Sequence, residues 1–181
     1  MENPGLTQRG SAILSFHDRC VELFETHFHR LYRYIDRVSG DPELAADLAQ
    51  EAFIKLYRRG SLPDAPEAWL VSVALNLFRN ARSTRSRRRR LLTIARGEAA
   101  HSDPPPSPES AAAAAETRQR VRSTIDRLSE RERRLLLLKA EGYSYRDIAA
   151  ALELNEASVG TLLARAIRAF RLIYEDAVDA P

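Results

Sequence analysis

Residues 101–116, HSDPPPSPESAAAAAE, hold no large apolar side chain. Pro104, Pro105, Pro106 and Pro108 interrupt any helix entering the segment, and the alanine tract that follows has nothing with which to anchor a core. A chain built around such a stretch must place its cores on either side. The sequence therefore predicts a tail over 1–14, a first module over 15–95, a flexible acidic linker over 96–116 and a second module over 117–181. With 181 residues, 44% of them hydrophobic, there is enough apolar surface for two small cores.

Both modules read as helical, and the expected class is all-α. Only seven glycines interrupt the chain, strand-like alternation is scarce, and Ala, Leu, Arg and Glu dominate. Phe16, Cys20, Phe24, Phe28, Leu31 and Ile35 recur every three or four positions and form one apolar stripe, which Gly40 ends. Asp41 before Pro42 supplies an N-cap followed by proline at the first helical position, opening a helix that Gly60 closes. After a loop held by Pro63 and Pro66, the run AWLVSVALNLFRNARSTRSRRRR begins as a nearly all-apolar helix and turns into an arginine face.

The net charge of +3 is modest, but its distribution is not. Residues 79–96 carry eight arginines and no acid, whereas residues 97–116 carry Glu98, Asp103, Glu109 and Glu116 and no Lys or Arg. Arg79, Arg82, Arg85 and Arg89 share a helical face, with Asn76 and Asn80 near its start. Arginine suits phosphate, and asparagine can hydrogen-bond bases. A solvated charge run is the plainer reading. Its position directly after a packed half-helix favours an ordered groove binder.

In the second module Ser129 with Glu132 forms a capping box before a leucine-rich helix that Gly142 ends, and Ser144 with Asp147 starts a short helix. Asn155 caps a longer one, and only Glu153, Leu154 and Asn155 separate the two. With Ile148, Ala149, Leu154, Val159 and Leu162 facing inward, this is a helix-turn-helix. The last helix opens with Glu156, Ala157, Ser158, Gly160 and Thr161, whose short side chains permit close approach to base edges. Arg165, Arg168 and Arg171 follow for phosphates. Glu153 stands where many such turns place glycine, so a left-handed backbone there would carry strain.

The stretch DLAQEAFIKLYR exposes Asp47, Gln50 and Glu51 beside Phe53, and periodicity alone does not choose between a partner surface and a plain amphipathic helix. His17, Cys20, His27 and His29 lie along one long helix and cannot converge on one ion without a second element, so no metal site is expected. The sequence shows no nucleophile elbow, phosphate-binding glycine loop or zinc-ligand pairing, which argues against an enzyme and against a cofactor. A single cysteine, no apolar run of about 18 residues and no leader-like segment in MENPGLTQRG fit a cytoplasmic location.

Three stretches taken together resemble the extracytoplasmic-function sigma factors, the smallest class of bacterial RNA polymerase sigma subunits. They are FETHFHRLYRYIDRVSGDPELAADLAQEAFIKLYR, PEAWLVSVALNLFRNARSTRSRRRR and LSERERRLLLLKAEGYSYRDIAAALELNEASVGTLLARAIRAFR. The resemblance implies that Asp47, Gln50, Glu51 and Phe53 dock on the beta-prime clamp coiled coil of core RNA polymerase, with the beta subunit as a further partner. It implies that Asn76, Arg79, Asn80 and Arg82 meet the minus-ten promoter element, with the loop from Gly60 to Pro66 close to an extruded base. Glu156, Ala157, Ser158, Thr161, Arg165 and Arg168 would read the minus-thirty-five element of promoter DNA. It also implies control by an anti-sigma factor. The competing expectation is an autonomous helix-turn-helix regulator that binds DNA without polymerase.

Overall fold

The computed structural model describes the backbone of residues 4–92 and 109–179, and the side chains of residues 16–83 and 116–177. All regular structure among them is helical: α1 Pro4–Ser39, α2 Pro42–Arg59, α3 Pro66–Leu92, α4 Glu109–Arg127, α5 Glu130–Ala140, α6 Tyr145–Leu152 and α7 Glu156–Asp179.

Helices α1, α2 and α3 form the first bundle, with α1 lying along α2 and both closing on α3. Its core is the inward stripe of each: Leu31, Tyr34 and Ile35 from α1, Ala45, Ala49, Ala52 and Leu56 from α2, and Leu70, Val71, Ala74 and Leu75 from α3. The alanines of α2 let α1 approach closely. Local signals set the ends: the Asp41 carboxylate accepts the Leu44 N–H at 3.0 Å, and Gly60 takes φ 74° with its N–H on the Tyr57 carbonyl. In the second bundle α7 packs against α4, α5 and α6 around Leu135, Leu138, Ile148, Val159, Leu163 and Ala166. The buried Thr124 hydroxyl is satisfied by the Arg120 carbonyl at 2.8 Å.

Two helices start inside stretches read as a linker and a tail. Helix α4 begins at Glu109, inside the stretch read as a structureless linker, so the alanine tract is helical there. Alanine has the highest helix propensity, and extending an existing helix costs far less than starting one. Helix α1 likewise begins at Pro4, within the stretch read as a tail, with proline tolerated in the first turn. Residues 93–108, which hold the rest of the expected linker, lie outside the described residues, as do the side chains of Arg85 and Arg87 to Arg90.

The two bundles pack on each other, α3 against α6 and α1 against α5. Two arginines of α1 meet Glu141 in the α5–α6 turn: Arg33 Nε donates to Oε2 at 2.9 Å, and Arg37 Nη1 lies 2.6 Å from Oε1. One turn earlier on α1, the Arg30 guanidinium lies 3.8 Å from the Tyr143 ring centre while pairing with Glu67 of α3. Tyr34 meets Tyr143 edge-on, with ring centres 6.4 Å apart.

Candidate nucleic-acid interface

The helix-turn-helix is α6, the turn 153–155, and α7. Ser144 and Asp147 close a full capping box on α6, and Ile148 and Ala149 are buried with Val159 and Leu163 of α7. Glu153 adopts φ 55° and ψ 48°, the left-handed conformation, with its N–H on the Ala149 carbonyl. The Leu154 N–H reaches the same carbonyl at 2.8 Å, so the turn has the hydrogen bond of a glycine-type helix stop without the glycine. It is the only non-glycine residue with positive φ among the described residues. Asn155 then starts α7 by accepting the Ala157 N–H on its side-chain oxygen at 3.0 Å.

This anchoring aims one face of α7 outward. Glu156, Ala157, Ser158 and Thr161 are exposed in the first two turns, followed by exposed Arg165 and Arg168, while Val159, Leu163 and Ala166 hold the opposite face in the core. Short side chains at the tip and long cations behind it are the order that a major-groove helix needs, with tips near bases and arginines near phosphates.

Helix α3 offers a second outward face. Asn76, Arg79, Asn80 and Arg82 are all exposed, and Ala74, Leu75 and Phe78 are buried behind them. Arg79 Nη2 donates to Asn76 Oδ1 at 2.8 Å, which pre-orders the pair but leaves the Asn76 amide N–H groups available. Between α2 and α3, Ser61 and Asp64 are exposed, and Trp69 is partly buried with the Arg59 guanidinium 5.9 Å from its ring centre. Trp69 is the single tryptophan of the chain and stands three residues after Pro66, at the end of the loop expected to lie beside an extruded base.

On α2, Asp47 and Gln50 are exposed, and Glu51 is partly exposed with Lys55 at 3.7 Å. Phe53 is not on this face. It is buried, edge-on to Phe24 at 5.2 Å and tilted on Phe28 at 6.1 Å. The expectation of a surface phenylalanine is thereby corrected, because Ala49, Phe53 and Leu56 at i, i+4 and i+7 form the stripe that meets α1. Phe24, at 43% exposure, is the aromatic that carries this cluster to the surface.

Burial pushes the Cys20 thiol up, away from the reactive thiolate, and raises Tyr143, partly offset by the Arg30 hydrogen bond and charge. Among the described residues no group of three His, Cys, Asp or Glu side chains is placed to hold a metal ion, and no helix is long and apolar enough to cross a membrane.

The sigma-70 region 2 family matches residues 23–89, and the sigma-70 region 4 family matches residues 118–170. Over 153 residues, 78% of this chain and 77% of that protein, the sequence is 35% identical to the RNA polymerase sigma-H factor of Pseudomonas aeruginosa. It is 27% identical over 159 residues to the ECF RNA polymerase sigma factor SigL of Mycobacterium tuberculosis, covering 85% of this chain and 88% of that one. The chain belongs to the extracytoplasmic-function RNA polymerase sigma factors. Among solved structures, the sigma factor RpoE in complex with the anti-sigma factor NepR from Bartonella quintana shares the fold, at a TM-score of 0.63 and 21% identity over 90% of this chain and 99% of that one. CnrH in complex with the cytosolic domain of CnrY does so at 0.62 and 20%, over 94% and 96%.

Sigma factors act in transcription initiation and are not enzymes. Region 2 contains the outward faces of α2 and α3, and region 4 contains the helix-turn-helix.

Proposed function

We propose that this sigma factor reads promoter DNA at two places through two rigid helix faces, and does so while docked on core polymerase in the cytoplasm. Asn76, Arg79, Asn80 and Arg82 on α3 engage the minus-ten element. The asparagine amides bond to bases of the separated strand, and the arginines hold phosphates. Extruding a base beside the Gly60 to Pro66 loop costs a few kcal/mol, which stacking and pocket contacts offset. Glu156, Ala157, Ser158, Thr161, Arg165 and Arg168 engage the minus-thirty-five element in the major groove. Glu156 would accept from a cytosine amino group, and Arg165 would donate to a guanine or a phosphate.

Asp47, Gln50 and Glu51 form the acidic and polar face that docks on the beta-prime clamp coiled coil, with Phe53 stiffening α2 from behind and the second module meeting the beta subunit. An anti-sigma factor is proposed as the regulator, by analogy with RpoE and NepR. The observation carrying the reading is that two separate helices each bury one face and expose a polar, DNA-suited one within the two sigma regions.

Reconstitution with core polymerase tests it. Comigration, and run-off transcription from selected promoters that weakens on Asn76→Ala with Arg79→Ala, is the expected result. No comigration, together with tight binding of palindromic DNA by the chain alone, would defeat it.

A further inference from the structure

Glu141 is an acid in an unfavourable place. It caps the C-terminus of α5, where the helix dipole already concentrates negative charge, and its side chain is 3% exposed. A carboxylate so buried needs cations, and both of its ion-pair partners, Arg33 and Arg37, come from α1 in the other bundle. The two arginines are i and i+4 on one helix and are each about half exposed, so they lose little hydration in reaching it.

The same side of α1 continues the contact. Tyr34 has no exposed surface and lies against Tyr143, and Arg30 stacks on that ring. Across the junction, the Ser72 hydroxyl of α3, which is 3.0 Å from the Ala68 carbonyl of its own helix, also lies 3.2 Å from the Ala151 carbonyl in the last turn of α6. That carbonyl belongs to the set a helix cannot satisfy internally. A charge clamp, an aromatic and cation stack and the approach of a hydroxyl to a helix-end carbonyl thus join the bundles.

This closed arrangement limits reach. Ser72 is one helical turn, about 6 Å, from Asn76. Ala151 is seven residues from Ser158, at most about 25 Å of chain. The two reading faces therefore lie within roughly 40 Å of each other. Promoter elements centred about 25 base pairs apart are separated by roughly 85 Å of B-form DNA. On the promoter-reading assignment above, the closed chain cannot hold both elements at once.

We propose that Glu141, clamped by Arg33 and Arg37, is a latch that keeps the free sigma factor closed, and that polymerase and promoter engagement require its release. A latch lowers apparent affinity for polymerase by the fraction of chains that are open, so weakening it strengthens holoenzyme formation.

The test uses the full chain in four forms: wild type, Glu141→Arg, the pair Arg33→Glu with Arg37→Glu, and the triple swap combining all three. Small-angle X-ray scattering should give a larger radius of gyration for Glu141→Arg and for the arginine pair, and a return to the wild-type value in the triple swap. That rescue separates loss of the clamp from misfolding. A wild type as extended as Glu141→Arg, or a triple swap as extended as the single change, overturns the latch. Titration with core polymerase should show Glu141→Arg binding about fivefold tighter than wild type. Scattering reads the latch whether or not polymerase binds, so failure of the sigma reading and failure of the latch appear in different measurements.

Discussion

The two bundles expose their reading faces differently. In the first, the polar face lies along the middle of a long helix, and Asn76, Arg79 and Asn80 are fixed by the packing of Leu70, Val71, Ala74, Leu75 and Phe78 before and behind them. In the second, the reading residues sit at a helix start whose position depends on the turn before it, and that turn hinges on Glu153 with a left-handed backbone. The first face is stiff because of burial; the second is aimed by a turn. The second bundle also leaves Glu141 to be neutralised from outside, whereas no comparable buried acid is seen among the described residues of the first. A helix face made by packing tolerates local change, and one made by a turn does not.

The sharpest way to break this contrast is through the cores. Leu138→Ala in α5 and Leu75→Ala in α3 remove nearly fully buried side chains, and each should cost about 3 kcal/mol in urea unfolding. Promoter contacts come next. Arg165→Ala should weaken transcription by roughly 1–3 kcal/mol, with the size depending on the minus-thirty-five sequence; equal loss on every promoter would make it a phosphate contact.

Turn geometry follows. Gly142 ends α5 at φ 83°, with its N–H on Lys139 and the Tyr143 N–H on Leu138, so Gly142→Ala should cost about 1–2 kcal/mol by thermal melting. Glu153→Gly should change stability by only about 0.5 kcal/mol, because relief of strain is set against glycine's added freedom in the unfolded chain. A large loss there would mean the Glu153 side chain contributes something beyond its backbone. Smallest is Glu51→Ala, which removes an exposed pair with Lys55 and should move stability by less than about 0.5 kcal/mol while lowering polymerase affinity.

What could be read from sequence was local. Asp41 with Pro42, Ser129 with Glu132, Ser144 with Asp147, and Gly60 set helix ends through groups within four residues, and each is found at its helix end. The outward positions on α3 and α7 follow from helical period, which is also local. Glu153 was visible as a place of strain because one residue's φ decides it. The burial of Phe53 is not legible in a twelve-residue window, which does not show which side of α2 meets α1, although the Ala49, Phe53, Leu56 spacing carries that information. The start of α4 at Glu109 is legible only when the prolines and alanines are separated, because alanine propagates a helix and proline stops it. Glu141 was invisible as anything but a solvated acid, since Arg33 lies 108 residues away and only the packed fold brings them together.

The most direct measurement is run-off transcription by core polymerase reconstituted with the wild-type chain, with Asn76→Ala, and with Arg165→Ala, on promoter libraries randomised separately at the two elements. The result expected is that Asn76→Ala reorders preferences only in the minus-ten library and Arg165→Ala only in the minus-thirty-five library. Transcription that ignores both libraries, or changes that appear in the opposite library, would contradict the assignment of one reading face to each bundle.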